Sequence, residues 1–249
     1  MGLDSINNFL NGVYKLSASN EGFPENALYT FPHPRFMEIP AIFASCPGQG
    51  MTASESWFRG VRPVVCGRTA PFEKAASEVP RYDDRSPVVV VDSDSLSARR
   101  FTEGVVKRMK VRGCDIWLMT WIEDADDLFD AFNTNADMVL GPYHATGSDE
   151  DLSDILSVSD SFVPAVFVAG GRAVLRRAGR DSVPGALSRL ADLGFYRTCV
   201  VDTDDSLSGS WETLRDDFPS AIPFTRSPES TEAIAGPRIG CLWAPRFPR

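Results

Sequence analysis

The sequence predicts one α/β domain folded as a (βα)8 barrel of the TIM type, and three observations carry that expectation. From about residue 37 onward, short apolar runs alternate with amphipathic stretches, the pattern of parallel strands joined by helical crossovers. About eight such runs can be counted. The length of 249 residues is the usual size of a one-domain α/β barrel. Strand count and length together favour a closed barrel over an open, doubly wound sheet.

Residues 37–43 read as the first strand. Residues 61–66 suggest an extra strand or hairpin, followed by a helix over 72–79. Residues 87–92 contain four consecutive valines, the continuous apolar run of a strand buried on both faces. The stretch 95–112 reads as one helix, with Phe101, Val105 and Met109 on one face and Gly113 past its end. A strand over 115–121 leads into a helix over 124–132 whose acidic start suits the helix dipole. A strand over 138–143 precedes a helix over 148–156 capped by Ser148. Strands over 165–169 and 197–202 flank a helix over 183–193, with Pro184 early and Gly194 at its end. A helix over 210–218 and strands over 221–225 and 238–243 complete the count.

Two departures from the regular plan are expected. The last helix is missing, because only six residues follow Trp243. Residues 1–36 form an N-terminal extension with an Ile6, Phe9, Leu10 and Val13 stripe, expected to pack on the barrel as a helix in place of the missing one; residues 37–249 form the barrel.

Composition narrows the class. The net charge of −9 argues against a nucleic-acid partner, which requires a clustered positive surface. No apolar run approaches the ~18 residues of a membrane span, so no membrane partner is expected. The five cysteines, none in a C-x-x-C pair, read as reduced thiols of a cytoplasmic protein. With only two histidines, no metal site is expected, and nothing in the sequence requires a cofactor. The partners left are a small anionic metabolite or another protein. Oligomeric state is not readable.

Several segments carry a family resemblance. Val90-Val91-Asp92-Ser93-Asp94-Ser95-Leu96 and Val201-Asp202-Thr203-Asp204-Asp205-Ser206-Leu207-Ser208-Gly209 each end a strand in an Asp-x-Asp turn. Ile39-Pro40-Ala41-Ile42, Ile122-Glu123-Asp124-Ala125-Asp126-Asp127-Leu128, Val139-Leu140-Gly141 and the helix ending Asp192-Leu193-Gly194 follow in matching order. Over residues 37–226 the chain resembles the histidine-biosynthesis barrel family of phosphoribosylformimino-aminoimidazole-carboxamide isomerases and related cyclases. The resemblance implies sugar-phosphate isomerisation by two aspartates, at the ends of the first and fifth strands. In this sequence those positions fall on Phe43 and Phe167, and no aspartate lies within three residues of either. Phenylalanine cannot transfer a proton, so the family reaction is not expected. The family's glycine-rich phosphate turns are also replaced, by Met119-Thr120-Trp121, Thr225-Arg226-Ser227-Pro228 and Trp243-Ala244-Pro245-Arg246. Gly141 alone persists, followed by Pro142; Gly170-Gly171 reads as a turn or, less simply, as a phosphate cradle.

Function in such barrels sits at the C-terminal ends of the strands. Asp92 and Asp202 either form a catalytic or metal-binding pair across the mouth or cap the helices after their own strands. His144 is either a general base or a loop histidine. Cys46, in the loop after the first strand, would need a base nearby to act as a nucleophile. Asp94, Thr120, Glu123, Arg172, Asp204 and Arg226 are the candidate ligand-binding groups, the arginines being suited to carboxylate or phosphate. Two readings follow. One is a non-catalytic binding or interaction protein whose mouth is filled by Phe43, Trp121, Phe167 and Trp243. The other is a barrel enzyme, isomerase or lyase in type, acting on a small anionic metabolite with replaced catalytic groups.

Overall fold

The computed structural model describes residues 38–79, 87–109, 115–134, 136–176, 179–226 and 241–245. The chain divides into two compact units, Met1–Arg35 and Phe36–Arg249, and every described residue lies in the second. The Ile6–Val13 stripe and the expected N-terminal helix fall outside the described residues.

Twelve strands follow in chain order: β1 (Glu38–Ser45), β2 (Thr52–Arg59), β3 (Arg62–Pro71), β4 (Val88–Asp92), β5 (Ile116–Met119), β6 (Met138–Pro142), β7 (Phe162–Ala169), β8 (Arg172–Val174), β9 (Arg180–Ser182), β10 (Thr198–Asp202), β11 (Ala221–Thr225) and β12 (Cys241–Trp243). Eight of them pair in parallel in the order β1, β4, β5, β6, β7, β10, β11, β12. β12 returns to β1, with Glu38 opposite Cys241, so the barrel is closed. This is the (βα)8 architecture, with helices between most strands.

Strand alternation divides the core in two. Ile42, Ala44, Val88, Val90, Leu118, Val139, Val166 and Val200 pack against the helices. The intervening residues, among them Phe43, Val89, Val91, Trp117, Met119, Phe167, Val201 and Phe224, are equally buried and fill the barrel. The unbroken apolar runs in the sequence arise from burial of both faces.

The two halves of the barrel repeat a pattern. β1 continues into the antiparallel pair β2–β3, then the helix Phe72–Glu78, then β4 ending at Asp92. β7 continues into the antiparallel strands β8 and β9, then the helix Val183–Asp192, then β10 ending at Asp202. β8 and β9 have no counterpart in the sequence reading, being three residues each and mostly exposed.

One expected element is corrected. Over its described part, 95–109, the single helix expected over 95–112 is instead two short ones, Ser93–Ala98 and Glu103–Arg108, while residues 110–112 lie outside the described residues. Arg99 adopts a left-handed conformation (φ 55°) that ends the first. The Ser95 hydroxyl then accepts the Thr102 N–H at 2.9 Å and holds the break in place.

Candidate functional site

The C-terminal mouth of the barrel is capped by the β2–β3 hairpin, a placement that no local sequence pattern announces. β2 runs antiparallel to the end of β1, with Phe43 opposite Ser54. The hairpin brings Trp57 and Phe58 over the opening, both about 3% exposed. The Phe58 ring lies 5.2 Å from Phe43, 5.0 Å from Phe167 and 5.8 Å from Phe224. β1 and β7 stand on opposite sides of the barrel, so one ring spans it. Trp57 packs on Phe224 at 5.5 Å, and its indole N–H donates to the Thr203 carbonyl at 2.9 Å. That hydrogen bond ties the hairpin to the far wall. Trp243, expected as part of the closure, is half-buried at the end of β12.

The two Asp-x-Asp turns are internally satisfied. Asp92, fully buried, caps the helix Ser93–Ala98: one oxygen accepts the Asp94 and Ser95 N–H groups, each at 3.1 Å. The other accepts the hydroxyls of Ser95 (2.7 Å) and Thr120 (3.2 Å). Burial pushes the Asp92 pKa up to about 6, against the lowering effect of the Ser95 bonds. Asp202 accepts the N–H groups of Ser206 (3.0 Å) and Leu207 (2.9 Å), and burial raises its pKa too. Both carboxylates thus hold their own turns, and they come from strands on opposite sides of the barrel.

The second aspartate of each turn reaches back to the preceding barrel strand. Asp94 accepts the Cys46 N–H at 2.6 Å, and Asp204 accepts the Gly170 N–H at 2.8 Å. The Gly171 N–H donates to the Ser206 hydroxyl at 2.9 Å. Gly170 and Gly171 both have positive φ (61° and 70°) and form the two-residue turn between β7 and β8. The amides that a phosphate cradle would use are therefore occupied by this chain's own side chains. Gly141 has a packing role: a Cβ there would meet the Phe162 ring at 2.6 Å.

His144 lies between Trp121 (5.5 Å) and Phe167 (5.4 Å), and both of its ring nitrogens are buried without a hydrogen-bond partner. Burial, with the Arg99 and Arg180 charges behind it, pushes its pKa down to about 4. Such an imidazole stays neutral and lacks the orienting partner that general bases normally have. Glu123 is exposed and accepts the Trp121 indole N–H at 2.8 Å. Arg172 is exposed on β8. The Cys46 thiol is half-buried and pushed up by burial, although Arg108 acts in the other direction. Among the described residues, no group of three or more His, Cys, Asp or Glu side chains could hold a metal ion.

Beside the capped mouth is a cleft of about 490 Å³ lined by Phe58, Arg59, Gly60, Ala169, Thr203, Asp204, Asp205 and Arg226. The Arg226 guanidinium lies 5.7 Å from the Trp57 ring centre. Of the candidate ligand-binding residues, only Asp204 and Arg226 line this cleft. Arg59, Trp57 and Phe58 escaped the sequence reading, although an adjacent Trp-Phe pair before Arg-Gly does mark a hairpin arm with an apolar payload.

No protein family and no curated protein matches this chain. Among solved structures, it is similar to the recombinant flavin-binding domain of baker's yeast flavocytochrome b2, at 8% sequence identity and a TM-score of 0.39. The match covers 64% of this chain and 48% of that one, so the chain spans about half the length of the structure it matches. A likeness this distant carries nothing about a flavin or an activity. No helix among the described residues is long and apolar enough to cross a membrane.

Proposed function

We propose that this chain is a non-catalytic binding or interaction protein, built on a barrel diverged from the histidine-biosynthesis isomerases and cyclases. The observation that carries the reading is the Phe58 ring, packed on Phe43, Phe167 and Phe224 across the mouth where substrate would enter. Phe43 and Phe167 occupy the positions that the resemblance assigns to the acid and base. Asp92 and Asp202 are engaged in their own turns. Binding is then left to the rim and the outer surface.

The test is titration calorimetry of the full chain with a bisphosphorylated sugar, run beside inorganic phosphate. With the mouth closed, the bisphosphate is recovered unchanged, and any binding at the rim is lost when Arg59 and Arg226 are both changed to methionine. Stoichiometric binding that survives both changes, or conversion to a rearranged product, overturns the reading.

A second reading, a barrel enzyme of isomerase or lyase type acting on a small anionic metabolite, is favoured by His144, a partnerless imidazole near the mouth. It requires the hairpin to lift and His144 to titrate near neutrality. A histidine NMR titration that places His144 near pH 4, with and without metabolites, excludes it.

A further inference from the structure

We propose that the cleft between the β2–β3 turn and the ends of β7, β10 and β11 binds a small oxyanion-bearing molecule, its phosphate or carboxylate held by Arg59 and Arg226. The proposal deepens the closed-mouth reading and rests on it, since it places the ligand on the rim and not inside the barrel.

Two guanidinium groups face one cleft on a chain whose net charge is −9. Among the described residues, neither makes an ion pair with a carboxylate, although Asp204 and Asp205 line the same cleft. Asp204 is already engaged by the Gly170 N–H. Arg226 is steadied over the Trp57 ring, which is itself fixed by its hydrogen bond to Thr203. A guanidinium held in place by stacking loses less freedom on gripping an oxyanion than a free one does, and its planar fork suits both phosphate and carboxylate.

The dimensions fit a small metabolite, since about 490 Å³ lies within the range of small-molecule sites. The remaining lining sets the ligand's other end. Ala169 and Phe58 offer apolar surface, and Asp205 offers an acceptor for a hydroxyl or ammonium group. The class indicated is therefore an oxyanion on a short carbon frame carrying at least one hydrogen-bond donor. Phosphate and carboxylate share this chemistry.

The experiment is titration calorimetry with inorganic phosphate, glycerol 3-phosphate and malate, in chloride buffer of matched ionic strength. Saturable binding is expected for one of the two organic probes, and the better one identifies the oxyanion. Arg59→Met and Arg226→Met should each weaken it by about tenfold or more, and Asp205→Asn should weaken the organic probe without affecting inorganic phosphate. Both arginines are exposed, so these variants should keep the wild-type melting curve; Lys74→Met, on the helix after β3, is the control expected to bind normally. Absence of saturable binding by every probe overturns the site while leaving the closed mouth intact. Binding that survives both arginine changes overturns the site and points to an open mouth instead.

Discussion

The Asp204 carboxylate accepts the Gly170 backbone N–H at 2.8 Å, so a side chain of this protein fills the amide site that a bound anion would otherwise use. Partial burial pushes the carboxyl up, but hydrogen bonds from Ser206 and Gly170 outweigh it and hold the group below the usual carboxylate range. A depressed folded pKa means stability that is present above the ordinary aspartate range and is lost as pH falls through the folded value. Asp204→Ala should cost about 1 kcal/mol, or ~2–4 °C in melting temperature, at neutral pH. The gap from wild type should shrink in acid. A gap that persists unchanged at low pH would show that the carboxylate's charge is not what secures the turn.

The capping ring has a larger effect. Phe58 is nearly fully buried among three other phenylalanines, and Phe58→Ala should destabilise the barrel by about 3–5 kcal/mol through lost transfer energy and the cavity left behind. Phe129→Ala, at a residue 61% exposed, should be close to neutral. Urea unfolding of the two variants checks both. Equal small effects would mean that the hairpin does not seal the mouth.

The barrel was readable because burial of both strand faces writes unbroken apolar runs, such as Val88–Val91, and because helix signals such as the Ser148 cap and the early Pro184 stand where the helices begin. The hairpin was readable only as an extra strand or hairpin over 61–66, without its β2 arm or its place over the mouth. β3 is almost wholly exposed and so has no apolar alternation to announce it. The burial of Trp57 and Phe58 depends on contacts with Phe167 and Phe224, more than a hundred residues away, and local pattern cannot supply those. The helix break at Arg99 was hidden because the apolar positions that suggested the helix, Phe101, Val105 and Met109, all lie beyond it and carry no information about residues 95–99. The candidate aspartates were correctly located as strand-end residues, yet whether each faced the mouth or its own turn depended on hydrogen bonds that only the folded geometry displays.

His144 and Asp92 should push the stability of the protein in opposite directions between about pH 4 and pH 6.5. His144 has a folded pKa of about 4 against an ordinary 6.5, so its penalty is absent above pH 6.5 and grows as pH falls toward 4. Asp92 has a folded pKa of about 6 against 3.8, so its penalty is absent below about pH 3.8 and grows as pH rises toward 6. Each reaches about 3 kcal/mol when complete, and across the shared window they largely cancel. His144→Phe should therefore gain on wild type as pH drops from 6.5 to 4. Asp92→Asn, which keeps an acceptor for the cap, should gain as pH rises from 4 to 6. Chemical denaturation of the three proteins across this range checks the signs. Parallel curves would mean that neither group is as buried as the packing indicates.

Gly141 supplies the sharpest packing test, because it is the glycine that looked most like a surviving phosphate turn. It stands on β6 opposite Pro164, and an added Cβ would meet the Phe162 ring at 2.6 Å and the Ile122 side chain at 3.1 Å. Contacts that short force the ring or the strand to move, so Gly141→Ala should cost about 1–3 kcal/mol. Shrinking the obstructing ring should relieve the clash. Phe162→Leu alone should destabilise, since it empties space beside Phe195 at 6.1 Å, but combined with Gly141→Ala it should lose less than the sum of the two. A double-mutant cycle by thermal unfolding measures that coupling. Strict additivity would mean that the glycine is not kept for the ring, and its role as an anion-binding turn would have to be reconsidered.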